Sequence, residues 1–261
     1  MAPIITAEKL TKTFGGVYAV HEVDFSVENG HIHGVIGPNG SGKTTMLNTI
    51  SGIYRPTAGR IDFRGERVDG LRPDKLVEKG IARTFQNIRL FPRLSIVENV
   101  MVGQYCRTKA GLLQILLQSK GMVEEEIRAA ERAKAALDFV GLGERAKSLP
   151  GDLPYGQQRL VEIARALATE PKLLLLDEPS AGMNLTEKRN LARLIARVKA
   201  DKAISVIVIE HDIRLISGLC DRVTVLNFGR KIAEGTPSEI RSNREVIEAY
   251  LGRGRNSVDA G

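Results

Sequence analysis

The chain has 261 residues, of which 43% are hydrophobic and 26% charged, and its formal net charge is +7. This length and apolar fraction allow one large folded domain or two small ones. The Lys and Arg are scattered among 31 acidic residues and do not form a tract with interleaved aromatics, so nucleic acid is not indicated as a partner. A mild basic excess suits a surface facing anionic lipid on the cytoplasmic side of a membrane.

Cysteine usage and apolar runs exclude further classes of protein. Cys106 and Cys220 lack CxxC spacing, which indicates neither a disulfide framework nor a zinc site and fits a reducing compartment. Residues 1–5 lack the charged start and long apolar run of a secretory signal, and no apolar run approaches the ~18 residues that span a bilayer. We therefore expect a chain that is soluble by itself.

The first predicted elements are strands that lead to a glycine-rich loop. Short runs at residues 5–10, 23–27 and 32–36, separated by Gly15-Gly16 and Asn29-Gly30, predict strands. Residues 37–45 then read GPNGSGKTT, and residues 46–50 begin a helix. Phe14, just before the first glycine pair, could stack on an adenine ring or could be an ordinary strand aromatic.

The loop matches the GxxxxGKT pattern of a phosphate cradle. Without Cβ atoms, its glycines let backbone N–H groups close around a polyphosphate, and a helix N-terminus favours anions. Lys43 would add a charge at the β/γ-phosphates, and the Thr44 hydroxyl could complete a Mg²⁺ shell. The alternative, a glycine-rich turn that happens to precede a lysine, fits the long match poorly. The predicted nucleotide site comprises Gly37, Pro38, Asn39, Gly40, Ser41, Gly42, Lys43, Thr44 and Thr45.

A helical segment follows two further strand runs. Residues 60–63 predict a strand, and the apolar run 81–86 ends on Gln86. Ser95 and Glu98 form a capping-box pattern, and residues 122–140 carry apolar side chains at three- and four-residue steps. These features predict a helical subdomain at about residues 95–165. The apolar stretch 111–117 either packs internally or contacts a membrane-embedded partner.

The second half alternates helices with buried strands. Residues 153–159 (LPYGQQR) lead into a helix, and 172–179 (KLLLLDEP) predict a strand covered on both faces that ends in Asp177 and Glu178. A helix at 186–199, a strand at 204–209 and His211 follow. A strand pair (222–227 and 231–233), a short helix to residue 251 and a disordered tail complete the prediction. Singly, Gln86, His211 and the two carboxylates could each be ordinary strand ends or caps.

The order of these motifs is more specific than any one of them. GPNGSGKTT, Gln86, LPYGQQ, LLLLDEP and His211 together resemble the ATP-binding cassette (ABC) family over residues 4–251. The segments ARTFQNIRLFPRLSIVENVMVG, YGQQRLVEIARALAT and EVIEAYLG look more narrowly like ATP-binding subunits of branched-chain amino acid importers. The resemblance implies an α/β fold: a P-loop NTPase core with a mainly parallel sheet, an N-terminal antiparallel β subdomain and an inserted α-helical subdomain, forming one ATP-binding domain over residues 1–251.

The resemblance also assigns roles to residues, with ATP and Mg²⁺ as ligands. Glu178 would act as general base and His211 would bond the γ-phosphate and position that base. Asp177 would hold Mg²⁺ through a water, and Gln86 would reach the metal or the attacking water. Phe14 matches the adenine-stacking position. The implied catalytic residues are Glu178, His211, Gln86 and Lys43, and the implied metal-site residues are Thr44, Gln86 and Asp177.

A signature turn implies a second subunit. Leu153, Pro154, Tyr155, Gly156 and Gln157 match the family signature, which in this family faces the ATP of another subunit. The chain has one cradle and one signature, so two chains would meet head to tail as a homodimer or as a heterodimer with a similar ATPase. Three positions depart from the commoner pattern, since Pro154 replaces Ser, Tyr155 replaces Gly and Asn184 replaces Asp.

Transport of a cargo would need other proteins. By resemblance, these are transmembrane permease subunits at the cytoplasmic face of the inner membrane and an extracytoplasmic binding protein that delivers a branched-chain or similar amino acid. The alternatives are a urea or amide importer, a lipopolysaccharide exporter, or a non-transport ABC ATPase of DNA repair, translation or cofactor assembly. Repair and translation members generally carry two cassettes, a long coiled coil or zinc cysteines, and the sequence contains none of these.

Overall fold

A computed structural model describes residues 2–104 and 120–251. Its first part is a four-stranded antiparallel sheet in the order β2-β1-β4-β5. The long strands β1 and β2 are joined by the turn at Gly15-Gly16, where both glycines have positive φ. The strands are β1 Pro3–Phe14, β2 Val17–Glu28, β4 Ala58–Phe63 and β5 Glu66–Arg67.

The second sheet has six strands in the order β10-β9-β3-β8-β7-β6. All neighbours pair in parallel except β10 and β9, which form an antiparallel hairpin. The central strands β3, β7 and β8 are buried along their whole length, which explains why their sequences are apolar without alternation. The strands are β3 Ile32–Ile36, β6 Ile81–Arg83, β7 Leu173–Asp177, β8 Ser205–Ile209, β9 Arg222–Asn227 and β10 Arg230–Gly235.

The helices connect these strands and cover the six-stranded sheet. The capping box predicted at Ser95 and Glu98 is confirmed, because each side chain bonds the other residue's backbone N–H. The described helices are α1 Lys43–Ile50, α2 Pro73–Lys79, α3 Ile96–Val102, α4 Lys120–Phe139, α5 Tyr155–Leu167, α6 Leu185–Lys202, α7 Ile213–Leu219, α8 Pro237–Ser242 and α9 Arg244–Leu251.

The six-stranded sheet is the middle layer between two hydrophobic clusters. Alternate residues of β7 point to opposite faces: Leu174 and Leu176 pack with α3–α7, whereas Leu173 and Leu175 pack with α1 and the antiparallel sheet. The helical segment shares the first cluster through α4, whose Leu137 is fully buried there. The sheet therefore fixes α1 on one side and the helices α3–α5 on the other.

The predicted fold class is confirmed by this layered arrangement. The strands β1 and β2 are longer than expected, and the short α2 and β5 were not predicted. The final helix is two helices, α8 and α9, separated at Asn243. The apolar stretch 111–117 and the predicted tail lie outside the described residues. Within the described residues, no helix is both long and apolar enough to cross a bilayer.

One buried titratable group lies in the central strand β3. His33 is 1% exposed, its Nε2 lies 2.9 Å from the Thr224 hydroxyl, and its ring meets Phe25 edge-on. Burial lowers the pKa of His33 to about 4, although the carboxylate of Glu234 opposes that change. As the pH falls, His33 of the unfolded chain therefore binds a proton near pH 6.5, whereas His33 of the native protein binds one only near pH 4.

This difference predicts acid destabilisation through His33. Native stability should be unaffected by this group above pH 6.5 and should fall between pH 6.5 and 4, by up to about 3 kcal/mol. His33→Gln keeps a donor for Thr224 but cannot be charged, so urea denaturation at pH 7 and pH 5 should show a smaller difference than in the wild type. His21→Gln, on the half-buried His21 of β2, is the control. An equal pH dependence in both variants would contradict the prediction.

Candidate functional site

The glycine-rich loop between β3 and α1 is packed so tightly that a side chain at two of its glycines would collide with neighbouring backbone. At Gly37, φ is +149° and a Cβ would lie 2.1 Å from the Leu226 carbonyl oxygen. At Gly42, φ is +103° and a Cβ would lie 2.3 Å from the Ala19 carbonyl oxygen. The β9–β10 hairpin holds the loop from outside, since the Gly229 N–H donates to the Ser41 carbonyl at 3.0 Å. The backbone is therefore shaped before any ligand binds.

Positive charge is concentrated inside this loop. Lys43 is the first residue of α1 and is buried, and its Nζ donates to the carbonyls of Gly37 and Pro38 at 2.8 and 2.9 Å. The Ser41 hydroxyl is buried without a hydrogen-bond partner among the described residues. Together with the N-terminus of α1, an ammonium and a spare hydroxyl make a site suited to a polyphosphate.

Three polar side chains from separate parts of the chain meet at the carboxyl edge of the same sheet. Glu178 follows β7, and its carboxylate accepts a hydrogen bond from Gln86 Nε2 at 2.9 Å. Its other oxygen lies 2.6 Å from His211 Nε2, beyond the end of β8. Glu178 has a left-handed φ of +47°, and its N–H donates to the Ile209 carbonyl at 3.0 Å. The carboxylate is thus held on both oxygens, in a place where it could accept a proton.

The neighbouring Asp177 is buried and only half satisfied. Its Oδ2 accepts a hydrogen bond from Arg83 at 2.8 Å, whereas its Oδ1 has no hydrogen-bond partner among the described residues. Burial raises the pKa of the Asp177 carboxyl, and the Arg83 guanidinium opposes that rise. A buried carboxylate oxygen with spare capacity fits a hydrated divalent cation beside phosphate, because Mg²⁺ uses few protein oxygens and keeps several waters.

Arg83 is a site residue that the motifs did not reveal. It also donates to Asn48 Oδ1 on α1 and to Oγ of Ser51, the C-cap of α1, at 2.6 and 2.7 Å, so it connects β6, β7 and α1. The available signal was an arginine inside the apolar run 81–86. A single buried arginine requires a carboxylate partner, and only the folded chain identifies it.

The predicted adenine-stacking residue lies at the end of β1. Phe14 is 44% exposed and meets Tyr54 edge-on, with the ring centroids 5.1 Å apart. The Lys12 ammonium lies 5.0 Å from the Phe14 ring centroid. An exposed aromatic ring remains available for a planar ligand, and Tyr54, which the motifs did not single out, supports it.

The signature turn contacts the segment that follows Glu178. Pro154 is the N-cap of α5 and supplies no side-chain cap. The ring of Tyr155, which is 47% exposed, would lie 3.0 Å from a Cβ at Gly182, and a Cβ at Gly156 would lie 2.8 Å from Glu187 Oε1. The turn 153–157 is therefore packed against the loop and helix start at 182–187.

Asn184, the third position that departs from the commoner pattern, has a structural role here. Its side-chain oxygen accepts from the N–H groups of Thr186 and Glu187 at 2.9 and 3.0 Å, and Glu187 returns the bond to the Asn184 N–H. Asn and Asp cap helices about equally well. The loss of charge at this position therefore leaves the start of α6 fully capped.

Known proteins resemble this chain over nearly its whole length. The family model for ABC transporters matches residues 20–181, and a model for branched-chain amino acid ATP-binding cassette transporters matches residues 230–255. The chain belongs to the ABC transporter family, and it is an ATP-binding, ATP-hydrolysing subunit. It is 43% identical to the high-affinity branched-chain amino acid transport ATP-binding protein BraF of Pseudomonas aeruginosa, over 96% of this chain and 98% of that one. It is 40% identical to the corresponding protein LivG of Escherichia coli, with the same coverage.

Solved structures of ABC cassettes share the fold. An ATP-binding cassette of an ABC transporter in its ADP conformation aligns with a TM-score of 0.85 at 33% identity, covering 97% of this chain and 100% of that one. A dimeric cassette in a post-hydrolysis state with ADP and Pi aligns with a TM-score of 0.75 at 27% identity, covering 89% and 98%. The resemblance drawn from the motifs is confirmed.

The crowded loop predicts the effect of a single methyl group. Gly42→Ala should weaken ATP binding by at least about tenfold, because the Cβ displaces the loop from the Ala19 carbonyl and strains the backbone. Titration with a fluorescent ATP analogue measures the dissociation constant, and circular dichroism checks folding. Gly151→Ala is the control, since its Cβ would meet nothing within 4 Å. Equal affinity in the two variants would refute the assignment of this loop to phosphate.

Proposed function

We propose that this chain powers the import of branched-chain or related amino acids, by hydrolysing ATP in a head-to-tail dimer on the cytoplasmic face of a membrane. The hydrolytic part of this proposal is based on one observation: Gln86 contacts one oxygen of the Glu178 carboxylate and His211 contacts the other. The cargo assignment is supported by the relatives BraF and LivG, whose names specify branched-chain amino acid transport, and by the family match at residues 230–255.

In the proposed mechanism, Glu178 is the general base for the attacking water. Each of its two oxygens has a neighbour: the Gln86 amide donates from Nε2, and His211 Nε2 lies 2.6 Å from the other oxygen, where it donates in the tautomer that carries the proton on Nε2. A positioned base contributes typically 10²–10⁴-fold to a reaction rate. His211 lies 40% exposed at the site, so its ring could also reach a γ-phosphate.

Binding of the triphosphate would rest on the loop of residues 37–45. Lys43 would exchange its bonds to the loop carbonyls for the β- and γ-phosphates, and the N–H groups at the start of α1 would meet the remaining oxygens. Thr44, Asp177 and Gln86 would hold Mg²⁺. When bound, Mg²⁺ neutralises charge that develops on the phosphate oxygens.

The signature turn 153–157 supports the dimer. It is exposed at Tyr155 and packs against the 182–187 segment, so its helix N-terminus can face a second subunit. The relative whose dimeric structure is bound to ADP and Pi provides a precedent for the pairing of two cassettes. The partner could be a second copy or a similar ATPase. Permease subunits and an extracytoplasmic binding protein would supply the channel and the cargo.

Replacement of the base tests the hydrolytic mechanism. Glu178→Gln keeps the shape of the side chain but removes its charge, so turnover should fall at least about a hundredfold while ATP stays bound and dimer accumulates. Phosphate release and size-exclusion chromatography with ATP measure the two effects. Glu144→Gln, at an exposed position before the signature turn, is the control. Normal turnover in Glu178→Gln would rule out the base assignment.

The missing side-chain cap at Pro154 leads to a second prediction. A serine there would cap α5, stabilising the protein by about 1 kcal/mol, and would add a hydroxyl for the γ-phosphate of the facing nucleotide. Pro154→Ser should therefore lower the ATP concentration at which the Glu178→Gln protein dimerises. Light scattering against ATP concentration measures this midpoint. If Pro154→Ser raised the thermal midpoint but did not tighten dimerisation, the serine would act only as a helix cap. That result would contradict the proposed contact between this turn and the nucleotide.

The cargo is tested in cells that lack this gene. Uptake of labelled leucine, isoleucine or valine should be lost, should return with the wild-type gene and should stay absent with Glu178→Gln. Urea uptake is measured in parallel. Loss of urea uptake with normal leucine uptake would contradict the amino acid assignment, and association with ribosomes or DNA instead of membrane permeases would contradict transport.

A further inference from the structure

The largest fully buried side chain of the described residues is an arginine that the mechanism does not use. Arg159 lies on α5, one turn after the signature position Tyr155, and its side chain is 0% exposed. One guanidinium nitrogen donates to the Phe85 carbonyl at 2.6 Å and to Glu162 at 2.9 Å. The other donates to the Gln86 carbonyl at 2.6 Å and to the Tyr155 hydroxyl at 3.3 Å.

Helix α5 also makes hydrogen bonds to the other end of the segment 85–89, which contains Gln86. Glu162 accepts a hydrogen bond from the Arg89 N–H at 2.8 Å, and Arg165 donates to the Arg89 carbonyl at 2.7 Å. Burial raises the pKa of the Glu162 carboxyl, and the guanidinium groups of Arg159 and Arg165 oppose that rise. The backbone of residues 85–89 is therefore fastened to α5 at both ends.

Gln86 lies where these contacts meet the active site. Its carbonyl accepts from Arg159, while its side-chain amide donates to the Glu178 carboxylate at 2.9 Å. On the other side of Arg159, Tyr155 belongs to the signature turn, and its ring packs against the loop at Gly182. A short contact path therefore joins the exposed signature turn to the base of the same chain.

A buried charge at this position needs a reason other than stability. Desolvating an arginine is costly, and a well-packed apolar side chain can often replace a buried ion pair without loss of stability. What an apolar side chain cannot do is hold two successive carbonyls, Phe85 and Gln86, with one planar fork. The ion pair is thus best explained by the geometry it imposes on Gln86.

We propose that Arg159 is a positioning residue that couples the signature turn, through the Gln86 main chain, to the general base Glu178 of its own subunit. This inference rests on the proposed function. When the signature turn engages the facing nucleotide, a displacement of Tyr155 and α5 is passed to Gln86 and alters how Glu178 is held. Each subunit thereby ties the state of its partner's nucleotide to hydrolysis of its own.

A double-mutant cycle with Arg159→Lys and Gln86→Ala tests the coupling. Lysine keeps the charge but can make only point contacts, so Arg159→Lys should lower kcat about tenfold and leave the ATP dissociation constant within twofold. In the Gln86→Ala protein, where the amide no longer reaches Glu178, the same change should lower kcat less than twofold. Arg128→Lys, which alters the exposed ion pair with Glu124 on α4, is the matched control.

A tenfold loss that persists in the Gln86→Ala background would overturn the proposal, because a merely structural role acts regardless of Gln86. Tyr155→Phe removes one hydroxyl and no buried charge, so it provides the same cycle if Arg159→Lys unfolds, with a smaller loss that also vanishes in Gln86→Ala. Wild-type and Glu178→Gln proteins are assayed alongside. Turnover in Glu178→Gln would mean that the proposed function fails, whereas additive losses beside an inactive Glu178→Gln defeat this inference alone.

Discussion

The candidate site depends on two hydrogen bonds to the Glu178 carboxylate, one with Gln86 and one with His211. They can form only because the parallel strands β6, β7 and β8 end at the same edge of the sheet, next to the loop that follows β3. The backbone at Glu178 itself is left-handed, with a φ of +47°. This strained backbone follows directly after β7, which is buried along its whole length and holds it in place.

Buried arginines fasten the parts around this centre. Arg83 joins Asp177 to α1, and Arg159 joins Glu162 to the backbone before and at Gln86. Each guanidinium has several acceptors in fixed directions, so each specifies relative positions of elements that hydrophobic contacts alone would leave adjustable. The end of α1, the Asp177 carboxylate and the segment of Gln86 are thereby held by directional bonds as well as by packing.

Much of this arrangement was predictable from local patterns. The loop 37–45 combines glycine spacing, Lys43 and a following helix, and these are short-range features with one physical explanation. The strand ending in Asp177 and Glu178 was evident from its unbroken apolar run, and the cap at Ser95 from a four-residue pattern. Helix α2 and strand β5 were missed because seven- and two-residue elements carry too little periodicity to be recognised.

By itself, the sequence determined the class of fold, the phosphate loop and the identity of the polar residues at the strand ends. Only the tertiary structure decided that Gln86 and His211 both reach Glu178. It also decided that one oxygen of Asp177 is paired with Arg83, and that Arg159 is buried against the main chain of Gln86. The physical reason is the separation along the chain over which each kind of interaction acts. Backbone preferences and apolar periodicity act between near neighbours in the chain, whereas the partner of a buried charge is chosen by residues 73 to 94 positions away that packing brings within 3 Å.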